Sequence, residues 1–367
     1  MKKIWLRGAL AATALATCAL GGFAAAAGAS TSPAWHPVYQ ATSDPKGQYT
    51  SVAATSAKNA WAVGTRSASG GLIAARWNGA SWQSLAVPGA SSFALSPFPV
   101  VAASSATNVW IFGWLTNGSE KILRWNGSWH TVPLPPDGAA DSPVVFSSTD
   151  VWVIGGQWIS RSGSCSTTLW NWTGAKWTTH TVGFCATGLS GTWAKNVWAT
   201  GTETLPVTKA RISAAHWNGT RWNAVTMPHP YTYVWSPQVV VGSSSNVWLT
   251  GDNRNSTYPA QPGTGWALHW NGKSWSQTRS SVLAASPGVA LVGGDLWLGP
   301  DQDWTGSAWA NQTPDAGLFG PASAGGVNPD LLAIAATPGS SSVWGAGSLN
   351  GGGSYDGPLM ASFGPVP

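Results

Sequence analysis

Short apolar runs alternate with polar, glycine-containing turns along most of this chain. A motif of the form Trp-Asn/Thr-Gly-x-x-Trp places such a turn between two apolar runs, first at Trp77 and Trp82. Glycine supplies the positive φ that a tight hairpin needs. The pattern therefore predicts antiparallel hairpins rather than helices.

A second motif, Asn/Asp-x-Trp-x-x-Gly, recurs ahead of these hairpins at intervals of 42 to 50 residues. That interval is typical of one four-stranded propeller blade. In the first repeat we expect strand A at residues 50–55, strand B through Trp61, strand C ending at Trp77 and strand D at residues 82–87. The fold class predicted is an all-β, seven-bladed β-propeller of four-stranded antiparallel blades, whose motif tryptophans are Trp61, Trp110, Trp152, Trp198, Trp248, Trp297 and Trp344.

The seventh repeat lacks the second motif, because the chain ends soon after Phe363, which stands in for the strand C tryptophan of the hairpin. The segment around Trp35 has the strand D signature but no strand before it. Joining the two ends pairs backbone groups that would otherwise form exposed sheet edges. We therefore expect the N-terminal strand to complete the last blade and close the ring.

The two motifs account for 20 of the 27 tryptophans. A position filled in the same way in every repeat serves packing between neighbouring blades, for which the indole offers a large apolar area. Outside the motifs and the first 29 residues, the remaining tryptophans are Trp114, Trp158, Trp170, Trp193, Trp235 and Trp266.

The first 29 residues read as a secretory signal peptide. Lys2, Lys3 and Arg7 precede an uncharged, alanine-rich stretch at residues 8–27, and Ala27-Gly28-Ala29 fits a small-x-small cleavage site. We predict a secreted protein with one domain at residues 30–367; the alternative is lipid anchoring at Cys18. No later run is long and apolar enough to predict a transmembrane segment.

Charge argues against a nucleic-acid partner. Removing the three basic residues of the signal from the 18 in the chain leaves 15 against 13 acidic residues, a balance of +2. The remaining basic residues are scattered along the sequence rather than gathered into a basic stripe.

Two cysteines remain after signal removal, in a compartment that permits disulfides. Cys165 and Cys185 flank the turn at residues 173–176 almost symmetrically. We predict a structural disulfide between them within blade three. No His/Cys cluster has the spacing of a metal site.

The repeat resembles the tryptophan-rich propeller repeats of secreted actinobacterial proteins, through the Trp-Ala-Val-Gly strand at residues 61–64 and the His-Trp-Asn-Gly-x-x-Trp hairpins at residues 216–222 and 269–275. It is also similar to kelch and Asp-box repeats. The resemblance implies a propeller but not an activity, since these superfamilies host lectins, lyases, sialidases and adaptors. The Asp-box aspartate is Asn or Thr here, and a sialidase arginine cluster cannot be traced.

We expect ligand binding at the connections whose length and sequence differ from blade to blade. The A–B and C–D turns are short and uniform, whereas the B–C and D–A connections vary in length, as binding loops on a rigid scaffold do. The candidate ligand-binding residues there are the aromatic and histidine side chains of Trp114, Trp158, Trp235, Trp266, His229, Tyr231 and Tyr233, and the charged side chains of Arg66, Glu203, Asp252, Arg254, Asp301 and Asp303.

No catalytic motif is present, and no cofactor or metal is predicted. Asp301-Gln302-Asp303 lacks the glycine and the following glutamate of a calcium loop. The leading interpretation is a monomeric, non-catalytic extracellular propeller that binds a glycan or a cell-surface protein. The alternatives are a polysaccharide lyase or glycoside hydrolase acting on the same face, and a purely structural wall-associated module.

Overall fold

In the residues that it describes, the structure, a computed structural model, has twenty-eight strands in seven antiparallel sheets. It describes residues 33–40, 46–66, 70–156, 167–203, 211–228, 234–253, 264–280, 288–314, 327–351 and 354–366. The described strands all belong to one unit, residues 33–367.

Each sheet is one blade, and in blades one to six the strands A to D follow the order of the sequence. Blade one contains β2 (Gly47–Ser56), β3 (Asn59–Arg66), β4 (Leu72–Trp77) and β5 (Trp82–Ser84); blade two contains β6 (Val100–Ser105), β7 (Asn108–Trp114), β8 (Glu120–Trp125) and β9 (Trp129–Val132); blade three contains β10 (Asp141–Ser147), β11 (Asp150–Ile154), β12 (Thr168–Trp172) and β13 (Trp177–Thr181). A short 3-10 helix, Ala90–Ser92, lies between blades one and two.

The next three blades repeat this order. Blade four contains β14 (Cys185–Trp193), β15 (Asn196–Thr202), β16 (Ile212–Trp217) and β17 (Trp222–Val225); blade five contains β18 (Val234–Ser243), β19 (Asn246–Asn253), β20 (Thr264–Trp270) and β21 (Trp275–Ser280); blade six contains β22 (Val289–Val292), β23 (Asp295–Leu298), β24 (Gln302–Trp304) and β25 (Trp309–Asn311).

The seventh blade joins the two ends of the domain. Strands β26 (Val327–Ala336), β27 (Val343–Gly351) and β28 (Ser354–Phe363) are completed by β1 (Trp35–Gln40). Trp35 pairs with Phe363 in this antiparallel ladder. The predicted seven-bladed ring and its closure by the N-terminal strand are therefore confirmed.

Tryptophan clusters join neighbouring blades, which explains both repeat motifs. Trp344 of blade seven lies 5.1 Å, between ring centroids, from both hairpin tryptophans of blade one, Trp77 and Trp82. At the ring closure, Trp297 of blade six contacts Trp35 at 6.2 Å and Phe363 at 4.8 Å. Phe363 thus takes the place of the missing hairpin tryptophan.

The asparagine of the Asn-x-Trp motif satisfies buried polar groups at the A–B turn. In blade two, Trp110 Nε1 donates to Asn108 Oδ1 at 3.0 Å, and Asn108 Nδ2 donates to Ser104 Oγ at 2.8 Å. Blade four repeats these contacts around Asn196. Since an unpaired buried polar group is costly, this side chain makes the buried indole compatible with the turn.

The glycine that ends the same motif is required by a close backbone approach. A Cβ on Gly64 would overlap the carbonyl oxygen of Gln48, and a Cβ on Gly201 would overlap that of Cys185. Strand A bulges beside each glycine, between Tyr49 and Ser51 in blade one. No side chain fits there, so the sequence keeps glycine.

Candidate functional site

The strand bounds separate two faces of the propeller. The A–B turns contain two residues in six blades, and together with the C–D hairpins they form what we call the short-turn face. The B–C and D–A connections form the variable face, and their lengths range from 2 to 15 residues. The predicted difference between the two kinds of connection is therefore present in the fold.

On the variable face, the ends of β7 and β8 bring an indole and a carboxylate together. Trp114 pairs with Glu120 across the two strands, so both side chains lie on the same side of blade two. Phe112 and Ile122 lie further along that side and are buried in the core shared with blade three. Trp114 and Glu120 therefore face blade three, and Trp114 is half-buried.

Glu120 is held by the chain entering blade three. Only 8% of its surface is exposed, and its Oε2 accepts a hydrogen bond from the backbone N–H of Ala140 at 2.8 Å. Burial raises the pKa of Glu120 to about 7, the Ala140 bond opposes this shift, and the nearby charges of Asp141 and Asp137 add to it. Near neutral pH this carboxyl group exists in both protonation states.

Asp137 and Trp170 extend the same region from the blade three side. Trp170 Nε1 donates to Asp137 Oδ2 at 2.8 Å. The indole lies directly over Gly155, where an added Cβ would overlap the ring. Asp137 is exposed in a turn closed by a hydrogen bond from Gly138 N to Pro135 O, and Trp170 is half-buried.

The first strand of blade three begins with a local backbone distortion beside these groups. Asp141 Oδ1 accepts from the backbone N–H of Ser142 at 2.6 Å, and Ser142 has a φ of 48°. Positive φ is unusual for serine and is tolerated where the surrounding structure enforces it. The distortion leaves Asp141 exposed at the mouth of the region.

We call the region formed by Trp114, Glu120, Asp137, Asp141 and Trp170 the blade 2/3 cleft. Lys121, the residue after Glu120, lies on the opposite side of β8, where a Cβ on Gly89 would come within 3.1 Å of its Nζ. The cleft thus combines two half-buried indoles with three carboxyl groups. Among the described residues, no group of three His, Cys, Asp or Glu side chains is arranged to hold a metal ion.

Trp266 is a core residue, which corrects the prediction that it offers a binding surface. Its exposed fraction is 2%, and it packs with Trp198, Ile212 and Val239 between blades four and five. The sequence position beside a variable loop was misleading, because β20 begins at Thr264 and already includes Trp266.

Asp303 also lies away from the loops. It is 8% exposed, accepts a hydrogen bond from Gln312 Nε2 at 3.0 Å, and directly precedes the strand C tryptophan. The residue before the strand C tryptophan in blade five is His269, whose ring stacks on Trp248 with the two ring centroids 4.2 Å apart. Asp303 therefore belongs to the packing of blade six, and its assignment to the variable face is corrected.

Other candidates lie on the variable face but at different blades. Asp301 is half-buried in the B–C turn of blade six, where burial raises its pKa, a hydrogen bond from Thr313 lowers it, and the charge of Asp330 raises it further. Glu203 is half-buried and lines a cavity of about 730 Å³ beside Arg211 at blade four. Arg66 is exposed at the end of β3. The structure does not bring these three side chains into the blade 2/3 cleft.

Eight predicted residues lie wholly or partly outside the description. Trp235 lies on β18 and Asp252 on β19, with side chains outside the description. Six predicted residues lie outside the described ranges altogether: Trp158, Cys165, Arg254, His229, Tyr231 and Tyr233.

The location of Cys185 changes the disulfide prediction. Cys185 is 7% exposed and begins β14, the first strand of blade four, whereas Cys165 belongs to the connection between β11 and β12 of blade three. A bond between them would link two blades rather than close one hairpin. The pairing itself stays a prediction.

Sequence reasoning missed most of the cleft. Trp170 is not among the predicted binding residues, although it stands two positions before Trp172 and so shares its side of β12. Glu120 follows its cross-strand partner Trp114 by a short loop, which the hairpin spacing could have indicated. Asp137 lies in a Pro-Pro-Asp-Gly turn and Asp141 follows that turn, but only the fold shows that this segment enters the cleft.

In the part of the chain that the structure describes, no helix combines the length and apolar character needed to cross a bilayer. Comparison with protein families and with curated proteins finds no match.

Solved structures do resemble this fold. The structure of YCF48 bound to D1 peptide aligns with a TM-score of 0.54 at 14% identity, covering 91% of this chain and 100% of that chain. The β-propeller domain of the Trilobed protease from Pyrococcus furiosus has a TM-score of 0.50 at 10% identity, with 83% and 94% covered. Polysaccharide lyase Uly1 has a TM-score of 0.50 at 10% identity, with 90% and 92% covered. At these identities the similarity shows that the chain is a β-propeller, and it shows the fold alone.

Proposed function

We propose that this protein is an extracellular carbohydrate-binding propeller whose ligand binds in the blade 2/3 cleft on the variable face. The observation that carries the proposal is the convergence of Trp114 and Trp170 with Glu120, Asp137 and Asp141 in one inter-blade cleft. Indoles offer flat apolar faces to the apolar side of a sugar ring. Carboxylates accept hydrogen bonds from its hydroxyl groups.

The charge of the cleft narrows the ligand class. Three neighbouring carboxyl groups, with Lys121 directed away from them, repel an anionic ligand. The proposal is therefore specific for a neutral glycan rather than for a uronic acid or a phosphorylated polymer. It also favours a sugar over an acidic peptide of a surface protein.

A glycan array followed by calorimetry with the selected neutral glycan tests this assignment. We expect Trp114→Ala and Asp137→Ala each to weaken binding by about tenfold, since one lost contact of this kind is worth about 1.4 kcal/mol. Phe98→Ala provides the control, because Phe98 is 49% exposed in the loop between blades one and two and lies outside the cleft. Equal losses in all three variants, or no glycan bound above background, would overturn the proposal.

A polysaccharide-cleaving enzyme is the second candidate, and Glu120 favours it specifically. A carboxyl group with a pKa of about 7 can donate a proton near neutral pH, and two further carboxyl groups lie near it. Release of reducing ends or unsaturated sugars from the selected glycan, lost in Glu120→Gln, would establish catalysis. Binding without product would leave the protein as a binding module.

The proposed setting rests on the sequence. Residues 1–29 have the features of a secretory signal, so we propose that the mature chain is secreted as a monomer and carries a Cys165–Cys185 disulfide. N-terminal sequencing of protein from the culture medium tests the cleavage site. A chain that stays with the cells through a lipid on Cys18 would contradict it.

A further inference from the structure

The fold gathers basic residues that are scattered in the sequence onto the short-turn face of blades three, four and five. Lys176 ends the C–D turn of blade three, Lys195 ends the A–B turn of blade four, Arg221 ends the C–D turn of blade four, and Lys273 lies in the C–D turn of blade five. All four side chains are exposed.

The turns within one blade are in contact, so Lys195 and Arg221 of blade four share one surface, with Lys176 and Lys273 on the same face of the two neighbouring blades. A Cβ on Gly219 would lie 2.6 Å from Lys195 Cγ, which places the Lys195 stem across the turn that contains Arg221. In blade five, a Cβ on Gly272 would lie 2.8 Å from Ser245 Cβ. Each A–B turn therefore lies against the C–D turn of its own blade.

The described turns that carry these basic residues have no acidic side chain of their own. The A–B and C–D turns of blades three to five contain no Asp or Glu. Asp150, at the edge of the blade three turn, is half-buried and accepts a hydrogen bond from Asn171 Nδ2 at 2.8 Å. The carboxyl groups of the blade 2/3 cleft lie on the opposite face.

An exposed indole stands among the basic residues. Trp193 ends β14, two positions before Lys195, and 54% of its surface is exposed. The repeat tryptophans of the same blade are used in packing: Trp222, for example, contacts Trp152 at 5.5 Å. Trp193 belongs to neither repeat motif, so no packing role requires an aromatic residue here.

We propose that this surface, Lys176, Trp193, Lys195, Arg221 and Lys273, binds an anionic polysaccharide that carries carboxylate groups. Basic side chains on a short-turn face complement a polymer with one charge per sugar or disaccharide, and the indole stacks on a sugar ring. Single-stranded nucleic acid fits less well, because its binding proteins combine a basic groove with successive aromatic platforms. The protein thus has two binding faces, one for a neutral glycan and one for an acidic polymer.

Binding of the full mature chain to immobilised polygalacturonate, with neutral dextran as the polymer control, tests the proposal. We expect binding that weakens with added salt, and a loss of about tenfold in Lys195→Glu/Arg221→Glu, since exposed charge contacts are individually weak and screened. Trp193→Ala should weaken binding several-fold at unchanged charge. The single variant Lys195→Glu should weaken binding about threefold, and Lys46→Glu is its charge-matched control, because Lys46 is exposed before β2 on the opposite face. Lys46→Glu should change affinity by less than twofold.

The outcomes separate the two binding faces. Retained binding of the neutral glycan by Lys195→Glu/Arg221→Glu would support two independent sites and show that the variant is folded. Equal weakening by Lys46→Glu would show that only net charge matters and would overturn the proposal. Absence of polygalacturonate binding, or binding only to single-stranded DNA or to anionic vesicles, would overturn it as well.

Discussion

Removing the indole of Trp35 tests how the ring is closed. Trp35 is 2% exposed, although it lies on the first described strand of the chain. Its ring contacts Phe363 at 5.6 Å and Trp297 at 6.2 Å, and its Nε1 donates to the carbonyl oxygen of Pro300 at 3.0 Å. Trp35→Ala therefore removes contacts both within blade seven and to blade six.

The expected loss of stability follows from these contacts. A buried Trp→Ala change costs about 3–5 kcal/mol. The lost hydrogen bond to Pro300 is worth about 1 kcal/mol, and the range for the Trp→Ala change already includes part of that loss. We expect the free energy of unfolding to fall by about 4 kcal/mol. With an unfolding entropy of about 2.1 cal/mol/K per residue over residues 33–367, this corresponds to a Tm lowered by about 6 °C.

Thermal unfolding followed by circular dichroism measures this effect, with Trp193→Ala as the matched control. Trp193 is 54% exposed, so its removal should change the free energy of unfolding by no more than about 0.5 kcal/mol. Deleting residues 30–39 should be more severe and promote aggregation, because it exposes the edge of β28. If Trp35→Ala melts like the control, the N-terminal strand does not hold the ring closed.

Three further predictions concern stability and pH. Trp266→Ala should cost about 3–5 kcal/mol in chemical denaturation because the indole is buried; a change below about 0.5 kcal/mol would show an exposed loop residue. Folding raises the pKa of Glu120 from 4.5 to about 7, so its contribution to stability is present below pH 4.5 and is lost as the pH rises through about 7. Glu120→Gln should therefore flatten this part of the plot of unfolding free energy against pH. An unchanged slope in that variant would contradict the assignment. Finally, the unfolded, unreduced mature protein should titrate no free thiol, and two free thiols would exclude the Cys165–Cys185 bond.

The architecture was predictable because the same tryptophan positions pack neighbouring blades together in every repeat. The same indole position recurs seven times, and Phe363 could be identified as the missing hairpin residue from the repeat alone. The contact of Trp297 with Phe363 and Trp35 follows that rule. Positions that recur with the repeat indicate packing residues, because each blade must bury the same surface against its neighbour.

The sites were much less predictable because they depend on which non-repeating residues meet in space. Glu120 begins strand C of blade two, whereas Asp137 lies in the connection that leads to blade three, and only the fold brings their charges close enough to interact. Trp266 stands beside a variable loop in the sequence yet lies in the core. Likewise, Lys195 and Lys273 are far apart in the sequence, and ring geometry places both on one face.

Hydrogen–deuterium exchange with the array-selected neutral glycan tests the central claim most directly. The account predicts slower exchange in residues 114–120 and 133–141, which form the blade 2/3 cleft, and unchanged exchange in the short turns at residues 194–195 and 218–221. Protection confined to those turns or to other blades, with residues 114–120 and 133–141 unchanged, would contradict it.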